Sequence, residues 1–114
     1  GYFDVMAGHP YATPDVDTAG IAWLRATMDG QGDRYKPIWL TEYGWNVNVV
    51  GEQNQATYLQ DSLNFFASTN YVTIATFQII ADIPASNTYM GLTDQALNPR
   101  PAYSTFSSYV KPTT

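Results

Sequence analysis

Residues 36–46, KPIWLTEYGWN, set one glutamate, Glu42, directly behind an apolar run and directly ahead of an aromatic, a glycine and a tryptophan. A carboxylate in that place can act as a nucleophile or a proton carrier at the end of a buried strand. It can equally be a paired charge near a helix N-terminus. Two other apolar runs end in the same manner: the first delivers His9 and Tyr11, the third Gln78 and Asp82, and Glu42 is itself followed by Tyr43 and Trp45. Each of these residues also has a structural reading. His9, the only histidine, fits a hydrogen-bonded turn, Asp82 fits a turn ahead of Pro84, and Tyr43 and Trp45 fit core or rim aromatics. What favours chemistry is that three runs end in polar residues, not one.

Three short apolar runs imply strands, and the segments between them must be the elements that hold those strand ends together. YFDVMAG, residues 2–8, is rich in β-formers and breaks at Gly8-His9-Pro10-Tyr11. After ATPDVD the period changes: Ile21, Leu24 and Met28 recur at helical spacing, Asp15, Asp17 or Thr18 can cap, and Gly30 and Gly32 stop the helix. KPIWLTEY, without polar alternation, reads as a parallel strand covered on both faces. The polar loop GWNVNVVGEQNQ leads to a second helix with Ala56, Leu59, Leu63 and Phe66 on one face and Gln60, Asp61 and Asn64 off it. Glu52 falls near the start of that helix, where its charge suits the dipole. YVTIATFQII is the most β-prone run. MGLTDQALNPRP suggests a small hairpin before Pro101 opens a last helix through Tyr109. Trp23, on a helix, and Trp39, in mid-strand, read as packing residues.

Strands alternating with helices imply an α/β fold of three consecutive βα units with parallel strands and right-handed crossovers. In such sheets the strands' C-terminal ends face the ligand crevice, which is where all the candidate residues fall. The 114 residues suit one domain, and 45% hydrophobic content permits a real core. Ten acids against five scattered bases give a net charge of −5, which argues against nucleic acid or an anionic membrane as partner. No run approaches the roughly 18 apolar residues of a membrane span. With no cysteine there is neither a disulfide framework nor a thiolate metal site. No glycine-rich phosphate loop, no metal-ligand spacing and no serine nucleophile elbow occurs, so the inventory fits hydrolysis without cofactor or metal.

The motif PIWLTEYGW, residues 37–45, resembles the seventh-strand motif of clan A glycoside hydrolases, retaining enzymes on a (β/α)8 barrel. FDVMAGHPY, residues 3–11, resembles their sixth strand, and GLTDQALNPRPAYSTF, residues 91–106, resembles the segment from the eighth strand into the last helix. The resemblance runs from about Phe3 to Phe106. It implies a partial barrel covering strands six to eight, residues 1–110, with a flexible tail at 111–114. It implies Glu42 as nucleophile, held charged by a hydrogen bond from Tyr11 or His9, with Trp45 as an apolar face for a sugar ring; Gln78 and Asp82, at the end of the third strand, are expected to bind substrate beside them. The substrate implied is a β-linked carbohydrate.

Three departures shape the expectation. The clan's acid/base is a glutamate following an asparagine, and no Asn-Glu pair occurs in these 114 residues. Retaining hydrolysis needs two carboxyl groups about 5 Å apart, so the chain alone is expected to be inactive. A full barrel takes roughly 250 residues, so the open strand edges are expected to be covered by the rest of a longer polypeptide or by another copy of the chain. Finally, ATFQIIAD offers Phe77 and Gln78 where many members place a tryptophan. The alternative reading is a non-catalytic carbohydrate-binding or self-associating half-barrel module.

Overall fold

The computed structural model describes residues 2–109; the expected tail at 111–114 lies outside them. Three parallel strands, β1 (Met6–Gly8), β2 (Ile38–Tyr43) and β3 (Val72–Phe77), lie side by side in chain order. Between them run α1 (Thr18–Gly30), the short α2 (Val47–Val50) and α3 (Glu52–Ser68), and α4 (Pro101–Ser108) packs against α3. The sheet is therefore built from successive βα units, as the alternation of periods implied.

Local chemistry explains the boundaries. Asp17 caps α1 by accepting from the Gly20 amide at 2.8 Å, and the chain leaves the helix through Gly32 at φ +83°. Asn46 caps α2, accepting from the Asn48 amide at 2.9 Å. Gly51, at φ +84°, separates α2 from α3. Pro101 opens α4, where its missing N–H costs nothing.

Four expectations change in detail. β1 is only three residues long and β3 stops at Phe77 rather than Ile80. α2 lies inside the stretch expected to be loop. The expected hairpin over residues 90–101 is reduced to a single antiparallel bridge, Thr93 with Pro99, within a longer loop that also bridges Ala81 to Thr93 and Ile83 to Thr88. A Cβ on Gly91 would run into the Thr93 carbonyl, so that loop needs glycine there.

One face of the sheet is covered and the other is open. Ile38, Leu40 and Tyr43 turn toward Ile21 and Met28 of α1 and Leu59 and Phe66 of α3, and together they form the core. Trp39 and Ile74 alternate to the other side, where they are 38% and 44% exposed. Trp39 is thus not a core residue in this chain, and neither is Trp23, exposed on α1.

The strands are irregular where it matters. Leu40 pairs with Ala75 and Tyr43 with Phe77, so three steps along β2 match two along β3 and β2 carries one extra residue. That bulge resets the alternation: Tyr43 turns into the core, and Thr41 and Glu42 both stay clear of it.

Candidate active site

Without the bulge, Glu42 would follow Ile38 and Leu40 toward the helices, where an unpaired carboxylate would be costly. With it, the side chain stands 46% exposed at the C-terminal end of β2. The loop after β1 brings two residues to it. The Tyr11 hydroxyl donates to Glu42 Oε2 at 2.9 Å, and His9 Nδ1 lies 3.7 Å from that same oxygen. His9 Nε2 is hydrogen-bonded to Thr41 Oγ1 at 2.9 Å. Both partners approach one oxygen of the carboxylate, and Oε1 has no hydrogen-bond partner among the described residues. Burial, reinforced by the Glu42 carboxylate, pushes the Tyr11 hydroxyl up to about 12, so it remains a donor across the physiological range.

Trp45 plays a different part from the one expected. It is only 3% exposed, its ring lies edge-on to Tyr43 and tilted against Tyr58, and its indole N–H donates to the Ala12 carbonyl at 2.8 Å. No open face is left for a sugar. Instead Trp45 ties the exit of β2 to the loop that carries His9 and Tyr11, which fixes the distance between Tyr11 and Glu42.

Asp82 is likewise engaged elsewhere. Its carboxylate accepts from both terminal nitrogens of Arg100, at 2.8 and 2.7 Å, and from the Gly91 amide at 2.9 Å. The guanidinium holds it below the usual carboxylate range. Arg100 Nε also donates to Glu52 at 3.0 Å, and Nη1 donates to the Gly91 and Thr93 carbonyls. Asp82 therefore closes the long loop after β3. Gln78 does reach the same end of the sheet: its backbone N–H donates to the Tyr43 carbonyl at 2.8 Å, and its Cβ lies against Gly44.

The structure thus brings His9, Tyr11 and Glu42 together, sets Gln78 nearby, and turns Trp45 and Asp82 to positioning. Sequence reasoning passed over Thr41, Gln55 and Arg100. Gln55 is fully buried on α3 and donates to the Trp45, Met90 and Gly91 carbonyls, joining the exits of β2 and β3. An amide on the apolar face of an amphipathic helix was the available signal.

Three successive parallel βα units with the candidate residues gathered at the strands' C-terminal ends match a segment of a (β/α)8 barrel. Residues 1–106 match the family model for the glycosyl hydrolase catalytic core, and the chain belongs to that family. No curated protein sequence matches it. Among solved structures, a GH2 β-galacturonidase from Eisenbergiella tayi is similar over 97% of this chain and 25% of its own, with TM-score 0.72 and 15% identity. A family 39 glycoside hydrolase from Bacteroides cellulosilyticus WH2 is similar over 89% of this chain and 25% of its own, with TM-score 0.69 and 18% identity. A Bifidobacterium dentium β-glucuronidase is similar over 96% and 21%, with TM-score 0.68 and 16% identity. At these identities the likeness is one of fold. The chain spans about a quarter of the length of the structures it matches.

Proposed function

We propose that this chain supplies the nucleophile side of a retaining glycoside hydrolase site for β-linked sugars, with Glu42 as the nucleophile. The observation that carries the reading is the division of labour within its carboxylate: Oε2 is held by Tyr11 and faced by His9, and Oε1 is free at the open end of the sheet. Oε1 attacks the anomeric carbon as the bond from that carbon to the leaving oxygen breaks, giving a glycosyl ester of Glu42 that water then hydrolyses. The leaving oxygen needs a proton from a second carboxyl group. Glu52 and Asp82 are both tied to Arg100, so neither is free for that task. The acid/base then comes from the polypeptide that covers the open face, and the chain alone does not turn over substrate.

The experiment is labelling by 2-deoxy-2-fluoro-β-glycosides of the barrel that contains these residues, followed by peptide mass analysis. The expected adduct is on Glu42; an adduct on any other carboxylate removes the assignment. That neither Glu52 nor Asp82 is free also supports a non-catalytic, carbohydrate-binding reading. Under it, no adduct forms in the assembled barrel and Glu42→Gln leaves sugar affinity unchanged.

A further inference from the structure

His9 touches two consecutive residues of β2, with Nε2 on Thr41 Oγ1 at 2.9 Å and Nδ1 facing Glu42 Oε2 at 3.7 Å. In a regular strand consecutive side chains point to opposite faces, and one ring could not meet both. The extra residue in β2 between Leu40 and Tyr43 removes that restriction, so the bulge is what makes the three-residue contact possible.

The contact also selects a tautomer. A neutral imidazole carries one N–H and one lone pair, and the two nitrogens take opposite roles. A lone pair on Nδ1 would face the lone pairs of the Glu42 carboxylate, which repels. A proton on Nδ1 faces them favourably, and Nε2 then accepts, with the Thr41 hydroxyl as donor. The hydroxyl has no other hydrogen bond among the described residues, so it is free to rotate into that role.

We propose that Thr41 is a positioning residue: its hydroxyl donates to His9 Nε2 and holds the ring with Nδ1 turned to Glu42 Oε2, whose charge selects the Nδ1–H form of the neutral imidazole. Oε2 then accepts from Tyr11 and is faced by the His9 N–H at 3.7 Å, and Oε1 keeps its lone pairs for attack. The catalytic meaning rests on the proposed role of Glu42, but the tautomer does not.

Because His9 is the only histidine, its two ring nitrogens can be read without ambiguity in a long-range proton–nitrogen spectrum of the 15N-labelled chain at a pH where the ring is neutral. The expected wild-type spectrum has the protonated nitrogen at Nδ1. Thr41→Val releases the ring from that orientation and should shift the protonated population toward Nε2, and Thr41→Ser, which keeps the hydroxyl, should leave it at Nδ1. Thr41 is exposed, so these replacements remove no core packing, and the backbone amide spectrum reports folding in the same sample. Should the valine variant fail to fold, Thr41→Ala gives the same comparison. A wild-type ring protonated at Nε2, or an unchanged ring in the folded variant without the hydroxyl, overturns the proposal. Fluorosugar labelling away from Glu42 with the Nδ1–H signal intact would remove the nucleophile and leave the positioning role of Thr41 in place.

Discussion

Tyr11 and Asp15 register their surroundings as protonation. Desolvation comes first and the Glu42 carboxylate second in holding Tyr11 protonated to about 12, against an ordinary value of 10.0. Between those two values the folded chain keeps a proton that the unfolded chain has lost, so this group's contribution to stability falls as pH rises through that window. Glu42→Gln should lower the Tyr11 midpoint without returning it to the ordinary value, because the burial remains. Ultraviolet difference titration against Tyr11→Phe isolates this one phenol among nine tyrosines, and an unchanged midpoint in the glutamine variant would show that the carboxylate does not act on it. Asp15 is raised by burial and by the nearby charge of Asp61, and its Oδ1 is buried without a partner among the described residues. The fold thus disfavours its ionised form. Asp15→Asn is expected to stabilise the chain at neutral pH, with the gain shrinking as pH falls below the ordinary carboxylate value, where both states are protonated. Urea midpoints at the two extremes of pH test this, and an equal gain at both would mean that charge is not the cause.

Loops and strands are joined by buried polar contacts that sequence spacing does not reveal. Arg100, 8% exposed, opens α4 and binds Asp82 after β3, Glu52 at the start of α3, and two carbonyls of the loop between. Arg100→Met leaves Asp82 buried and unpaired, a change expected to cost about 3 kcal/mol in urea unfolding. Adding Asp82→Asn should recover part of that loss, since no bare charge is then buried, and additive losses would mean that the pair is not coupled. The three strands, their parallel order and the faces of α1 and α3 were legible because each follows from a period of apolar residues. The glutamate at the strand end was legible for the same reason. The bulge in β2 was not: an apolar run reads alike in either register, and only the partner strand decides which residue is extra. Trp45 was expected as a sugar face by resemblance and is found in the core, against Tyr43 and Tyr58 and bonded to the Ala12 carbonyl, contacts that local spacing does not reveal. Asp82 read as a turn former or rim residue because its partner lies 18 positions away, beyond any local pattern.

At the scale of the whole molecule, the sheet is a surface without a second half. Parallel strands are stable when both faces are covered, yet here Ala7, Trp39 and Ile74 lie exposed on one face, and β1 and β3 each have one unpaired edge. An exposed apolar face flanked by open edges favours association. The chain by itself should therefore show a sedimentation coefficient that rises with concentration, and charged replacements at Trp39 and Ile74 should suppress that rise without unfolding the helices. On the proposed mechanism the acid/base stands on that same open half, so association between identical copies should not produce hydrolysis of aryl β-glycosides. Activity is expected only when the uncovered face is completed by polypeptide that brings a second carboxyl group to within about 5 Å of Glu42, and Glu42→Ala in that complete barrel should lose nearly all turnover. Hydrolysis by the isolated chain at concentrations where it sediments as a monomer would contradict both the two-carboxylate mechanism and the need for a covered face.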